Sequence, residues 1–268
     1  MQEIYAFAHA LPPEAVWVTM LVTVYAMQLV LLRLFGADGL KLFIALAVIG
    51  AGVMVLKPVQ FSIFPEPLAL GTVLFVGSYL ATDILNEHYG AAQARKAVWL
   101  GFAANLGFVL LMQLMLGFRP LTEETAGEAW GWALGMHPAM ETLFAPAPAF
   151  LIAGFTAYLV SQHLDIWLYQ KIREKTGKSK LWLRNNLSTF VSTLVDNTIF
   201  TVIAFGILAA QPVALSEMVT TYIIGAALMR WGIALFDTPF LYLAGKVVPQ
   251  AARDDRQDAA PSGAVAAD

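Results

Sequence analysis

Seven runs of apolar residues, most of them long enough to cross a bilayer, constrain this chain more than any other feature. They are 15–32, 42–56, 67–85, 97–116, 148–169, 187–210 and 218–247. A helix needs about 20 apolar residues to span the ~30 Å hydrocarbon core. Inside that core every backbone N–H and C=O must be satisfied within the segment, so such a run reads as a spanning helix. The 42–56 run is short and bounded by Lys41 and Lys57, which leaves a count of six to seven. The expected fold is an all-α integral membrane protein, a polytopic bundle of six to seven transmembrane helices. Its expected parts are an N-terminal segment 1–14, a transmembrane domain 15–247 and a disordered tail 248–268. No Lys or Arg precedes the first run, which is also longer than the apolar part of a signal peptide, so that run is expected to be retained.

Composition excludes the main alternatives. The chain is 59% hydrophobic and 13% charged, against about 45–50% and about 25% in soluble domains. A net charge of −3 offers no nucleic-acid footprint. The absence of cysteine removes disulfides, thiol nucleophiles and cysteine-held metals together. No phosphate-binding Gly-rich loop ending in Lys-Ser/Thr and no Gly-x-Ser-x-Gly elbow occurs. His9, His88, His137 and His163 lack metal-ligand spacing. No enzyme activity, metal or cofactor is expected.

The basic residues orient the bundle, because cytoplasmic loops carry an excess of Lys and Arg. With the N-terminus outside and seven crossings, thirteen of the sixteen Lys and Arg fall on the cytoplasmic side, including the whole 171–184 loop. Two, Lys57 and Arg119, fall outside, and Arg230 lies within the last run. The C-terminus is then cytoplasmic. The 119–147 connection, with Glu123, Glu124, Glu128, Glu141, Trp130 and Trp132, reads as an amphipathic helix at the outer interface or, less simply, a lid.

Ionisable and amide side chains inside such spans need a reason, since each costs ~2.5–3.5 kcal/mol near the bilayer centre. Asp83 and Glu87 are four residues apart on one helical face, with Asn86 beside them. They serve either as a polar site or as a helix end paired with Arg95 or Lys96. Tyr158, Gln162, Asp165 and Tyr169 form one stripe on the fifth run. On the sixth, Ser188, Ser192 and Asp196 recur every four residues, flanked by Asn185, Thr189, Thr193 and Asn197. That face, roughly 12 Å long, suits a water- or ligand-lined cavity. Arg230 must face a carboxylate or an acceptor-rich ligand, with Asp196 and Asp237 as natural partners. Gly232 and Pro239 are candidates to break the last helix beside it. Five carboxylates, Asp83, Glu87, Asp165, Asp196 and Asp237, against one buried arginine also suggest a proton relay, the alternative being a facilitator in which the acids only hydrogen-bond.

The runs Gly71-Thr-Val-Leu-Phe, Tyr79 through Gly90 (Tyr-Leu-Ala-Thr-Asp-Ile-Leu-Asn-Glu-His-Tyr-Gly) and Ala94-Arg-Lys-Ala-Val-Trp-Leu-Gly101 resemble the queuosine precursor transporter family, also called vitamin uptake transporters. So do Gln162 with Asp165, and Arg184-Asn-Asn-Leu-Ser-Thr followed by Asp196-Asn-Thr-Ile-Phe. The resemblance covers about 20–247. It departs where the pattern has Asp followed directly by Thr. It also departs at 15–32, which shorter members lack, making that run peripheral to transport. The resemblance implies import of 7-deazaguanine bases across the bacterial inner membrane, with the lipid bilayer and a small molecule as partners and room for a homodimer. A guanine-like edge offers adjacent donors to a carboxylate and a carbonyl to an amide or guanidinium. Asp83, Glu87 or Asp196 would read the donors, and Asn86, Gln162 or Asn185 the acceptor. Asp165, Ser192, Arg230 and Asp237 line the same expected midplane cavity, with Phe75, Tyr79, Trp99 and Phe200 as candidate walls. The competing readings are the substrate-capturing subunit of a vitamin importer and a structural membrane protein.

Overall fold

The computed structural model describes residues 2–62, 67–145, 148–177 and 179–249. Its elements are α1 (Gln2–Ala10), α2 (Pro13–Met54), the strand pair β1 (Pro58–Val59) and β2 (Leu68–Ala69), α3 (Gly71–His88) and α4 (Ala91–Leu116). They continue with α5 (Glu123–Trp130), α6 (Met136–Phe144), α7 (Pro148–Thr176), α8 (Leu181–Thr201), α9 (Leu215–Glu217) and α10 (Ala226–Val247). Among the described helices five are long and apolar enough to cross a membrane: α2, α4, α7, α8 with its extension to Ile207, and Leu215–Val247. α3 falls short of that apolar threshold because its last two turns carry Asp83, Asn86, Glu87 and His88.

The 42 residues of α2 would make a rod of about 63 Å, twice the hydrocarbon core. They do not form one. Gly36 takes φ 58°, ψ −135°, a conformation closed to residues with a β-carbon. Beyond it the chain turns back so tightly that a β-carbon on Gly39 would run into the Leu31 carbonyl. Arms 13–35 and 37–54 are therefore a helical hairpin, and the loop expected at 33–41 shrinks to one non-helical residue. The first arm is not peripheral to the packing. Leu21, Tyr25, Gln28 and Leu32 are buried in the core, Gln28 Nε2 donates to the Gly77 carbonyl at 3.1 Å and Tyr25 Oη to that of Ile233 at 3.4 Å.

Side-chain contacts fix the helix directions. Tyr79–Ser161, Thr82–Gln162 and Glu87–Tyr169 climb α3 and α7 together, so these run parallel. Ser161–Asp196, Asp165–Ser192 and Tyr169–Arg184 descend α8 as they climb α7, so these run antiparallel. Asn186–Thr238 and Asp196–Arg230 set α10 antiparallel to α8. The bundle is inside-out relative to a soluble protein. Asp83, Asn86, Gln162, Asp165, Ser188 and Asp237 are buried, while Leu46, Leu110, Leu111, Ile152, Leu228 and Leu235 are exposed. In water that arrangement would be unstable, but in lipid the apolar faces are solvated and the polar groups satisfy one another.

Four further boundaries differ from expectation. The sixth span begins at Leu181, not 187, so Arg184, Asn185 and Asn186 are helical. The 119–147 connection is two short helices joined by a 3₁₀ turn, Gly131–Ala133, rather than one amphipathic helix. Trp130 and Trp132 are exposed there. α10 passes through Gly232 and Pro239 unbroken, and the irregular geometry lies elsewhere, in two π-helical stretches, Val202–Ile207 and Met218–Gly225. Their Phe205 and Tyr222 rings meet at 4.6 Å. Finally, Val248, expected to start the tail, is buried in the core, and the tail from 250 onward lies outside the described residues.

Candidate functional site

Four helices, α3, α7, α8 and α10, turn their polar faces inward and build three tiers along the bundle. The tier nearest the 171–184 connection is an ion-paired plug. Arg184 Nε and Nη2 donate to Glu87 Oε2 and Oε1 at 3.1 and 2.9 Å, the bidentate geometry that suits a guanidinium to a carboxylate. Tyr169 Oη donates to the same Glu87 at 2.8 Å, and Arg173 stands 3.9 Å away. Arg184 Nη1 donates to the carbonyls of Gly177 and Ser179, tying the connection to the plug. Asn86 accepts from Gln170 and donates to the Ile166 carbonyl. Glu87 thus pairs with Arg184 and not with Arg95 or Lys96, which are exposed on α4.

The middle tier is carboxylate-rich. Asp165 accepts from Ser192 Oγ at 2.8 Å, and Asp237 accepts from Asn185 Nδ2 at 2.9 Å. Asp83 sits among them and acts electrostatically on both. Neither oxygen of Asp83 has a donor, nor does Oδ2 of Asp165, and the Asn185 carbonyl oxygen is also without a partner. Asp165 pairs with a serine of α8 rather than with the basic connection that follows its own helix.

The third tier holds the second ion pair. Arg230 Nη1 reaches Asp196 Oδ2 at 2.5 Å, and Ser161 Oγ donates to Asp196 Oδ1 at 3.0 Å. Tyr79 Oη donates to Ser161 at 2.9 Å. The Arg230 guanidinium lies over the Phe75 ring, 4.8 Å from its centroid, a cation–π contact. Arg230 Nε is buried without an acceptor. Gln162 bridges α7 to α3, donating to Ser78 at 2.9 Å and accepting from Thr82 at 3.3 Å.

All ten residues singled out from the sequence, Asp83, Asn86, Glu87, Gln162, Asp165, Asn185, Ser192, Asp196, Arg230 and Asp237, belong to this one column. The aromatic candidates divide. Tyr79 and Phe75 line the third tier, while Trp99 is 54% exposed beside Phe102 and His163 on an outer face. Phe200 stacks on Phe150 further along the bundle. From the sequence, Arg184 counts as a loop cation and opens a block resembling the family but is given no role at the site, and Ser161 is not weighed. The signal for Arg184 was its place one residue before the polar stripe of the sixth span. Most of the column is sealed: Asp83, Ser161, Gln162, Asp165 and Ser192 have no accessible surface, whereas the Arg230 side chain keeps 17%. Among the described residues no group of His, Asp or Glu is arranged to hold a metal ion.

The family described as "Putative vitamin uptake transporter" matches residues 69–244, which contain the whole column. A protein of Bacillus subtilis (strain 168) named "Probable queuosine precursor transporter" is 34% identical over 234 residues, covering 87% of this chain and 95% of that protein. No solved structure matches the chain significantly.

Proposed function

The chain belongs to the vitamin uptake transporter family, a multi-pass membrane transporter and not an enzyme, and on that premise we propose that it imports queuosine precursors, 7-deazaguanine bases, across a bacterial inner membrane. The relative's name motivates the cargo. The observation that carries the reading is the Asp196–Arg230 pair, which has hydrogen-bonding capacity left over. An ionised carboxylate offers about four lone-pair sites, and Asp196 uses one oxygen for Ser161 and the other for Arg230. The spare sites suit the adjacent ring N–H and amino group of a guanine-like edge. The unpartnered Arg230 Nε suits the neighbouring carbonyl. Phe75 and Tyr79, whose rings meet edge to face at 5.6 Å, supply an aromatic wall for a flat base. The pair stands where the sealed column meets accessible surface, so a base can reach it with less rearrangement than the middle tier demands.

In this reading Asp196 reads the donor edge and Arg230 the acceptor, and Gln162 orients Ser78 and Thr82 behind them. Glu87, Asn86 and Asn185 hold the bundle together beneath the base and do not touch it. In this reading transport is secondary, and the sequence carries no phosphate-binding Gly-rich loop of its own. Purified protein in detergent, titrated with the nitrile and aminomethyl 7-deazaguanines, tests the proposal. A carboxylate hydrogen bond to a donor pair is worth ~1.5–3 kcal/mol, so Asp196→Asn weakens binding roughly ten- to a hundredfold. Wild-type protein that binds neither base, or a folded Asp196→Asn variant that binds as wild type, overturns it.

A further inference from the structure

We propose that Asp83 and Asp165, with Asp237 behind them, form a proton-binding site inside the bundle, distinct from the Asp196–Arg230 pair, which the transport cycle loads and empties. The proposal rests on the transporter reading above and supplies its coupling ion.

The argument begins with a charge count by tier. Glu87 has Arg184 and Asp196 has Arg230. Among the described residues no ion pair reaches Asp83, Asp165 or Asp237. The groups facing them are named from every packed element. α3 offers Tyr79 one turn before and Glu87 one turn after; α7 offers Asp165 and Tyr169; α8 offers Asn185, Ser188, Thr189 and Ser192; α10 offers Asp237; and α2 offers Tyr25, beside Asp237. None of these carries a positive charge, and Arg184 is committed to Glu87 and two carbonyls.

Three carboxylates with no cation beside them and almost no accessible surface cannot all be anions, because an unpaired buried charge costs far more than the fold can offset. The second observation concerns particular atoms. Both oxygens of Asp83 and Oδ2 of Asp165 are orphaned, and so is the carbonyl oxygen of Asn185, which belongs to no acid. Every group left wanting in this tier is an acceptor, and what is missing is a donor. One proton on Asp83 or Asp165 turns an oxygen into a donor aimed at its neighbour, and satisfies two orphans with one particle of no volume. A sodium ion would need several oxygens at coordination distance and room to sit, and these side chains have zero or near-zero accessible surface. The same tier is mechanically joined to the base-reading pair. Asp165 holds Ser192, one turn before Asp196 on α8, and Asp83 lies one turn beyond Tyr79, whose hydroxyl reaches Asp196 through Ser161. Losing the proton leaves adjacent anions that repel α3 from α7, and that displacement moves the Tyr79–Ser161–Asp196 chain.

The experiment uses the full-length protein and has two readouts. In purified protein, infrared titration follows the carbonyl stretch of a protonated carboxylic acid. A band that persists at neutral pH and diminishes in both Asp83→Asn and Asp165→Asn, unchanged by sodium, is expected. Absence of the band, or its survival in both variants, overturns the site without reference to any cargo. In proteoliposomes, exchange of labelled nitrile base under equal concentrations measures carriage alone, and an imposed pH gradient measures coupling. A one-unit gradient drives up to about tenfold accumulation for one proton per base. Asp83→Asn is expected to keep exchange and lose accumulation. Wild-type exchange without accumulation, or accumulation driven by sodium instead, overturns the coupling role. Absent exchange refutes the base assignment and leaves the proton site to be judged by the infrared result.

Discussion

The Glu87–Arg184 plug makes the sharpest claim on stability, because its two partners are 97 residues apart in the chain. Their side chains retain 15% and 2% exposure, so neither charge is well solvated. Breaking a buried pair by removing one partner costs about 3–5 kcal/mol, mostly from the charge left behind. Glu87→Gln keeps an oxygen for Tyr169 but points its amide donors at the guanidinium. Arg184 still has the Gly177 and Ser179 carbonyls, so the loss belongs near the lower end, about 3 kcal/mol. Arg184→Met leaves Glu87 with Tyr169 and with Arg173, 3.9 Å away, and also frees two carbonyls. Its cost belongs in the middle of that range, about 4 kcal/mol. The double variant removes both charges and leaves only the carbonyl loss, so it is less damaged than the sum of the singles by at least about 2 kcal/mol. SDS-titrated unfolding of purified protein in mixed micelles measures all four species. Additivity in the double variant, or a Glu87→Gln loss below about 1 kcal/mol, would show that water or lipid headgroups compensate these charges and that the plug is not a buried pair.

Two other expectations follow from the backbone and from the charge pattern. Gly39→Ala drives a β-carbon into the Leu31 carbonyl, which cannot rotate away, and is expected to cost about 1–3 kcal/mol by overpacking; Gly52→Ala, with open space around it, serves as the control, and equal thermal stability of the two would sink the hairpin geometry. In the cysteine-free background, a thiol at Glu128→Cys is expected to react with an impermeant reagent in intact cells and one at Ser179→Cys is not; the reverse pattern inverts the orientation.

The membrane class, the approximate spans and the identity of the interior polar residues were legible from local pattern. Lipid solvates apolar faces on all sides, so a run such as 97–116 announces itself by length alone, and an Asp or Asn within a run has nowhere to go but inward. Periodicity also put Ser188, Ser192 and Asp196 on one face. It could not say what that face meets. The rotation of one helix against another, and their relative height, are set by packing among all of them at once. From sequence, Asp196 and Asp237 are equal candidates to face Arg230, and Asp83 and Asp165 are two further acids within the runs. Only the assembled bundle gives Asp196 the arginine, Asp165 and Asp237 a neutral donor each, and Asp83 nothing. The same holds for Arg184, which counts toward orientation as a loop cation and becomes a buried clamp because α8 begins six residues early. Gly36 is the backbone counterpart. A glycine in the short connection expected between two runs is unremarkable in sequence, and its φ of 58° goes with two arms whose Leu32 and Leu40 are both buried in the core. Helix formation is a local decision made by composition, whereas partner choice is a collective one made by packing, and in this protein the candidate function depends on the second.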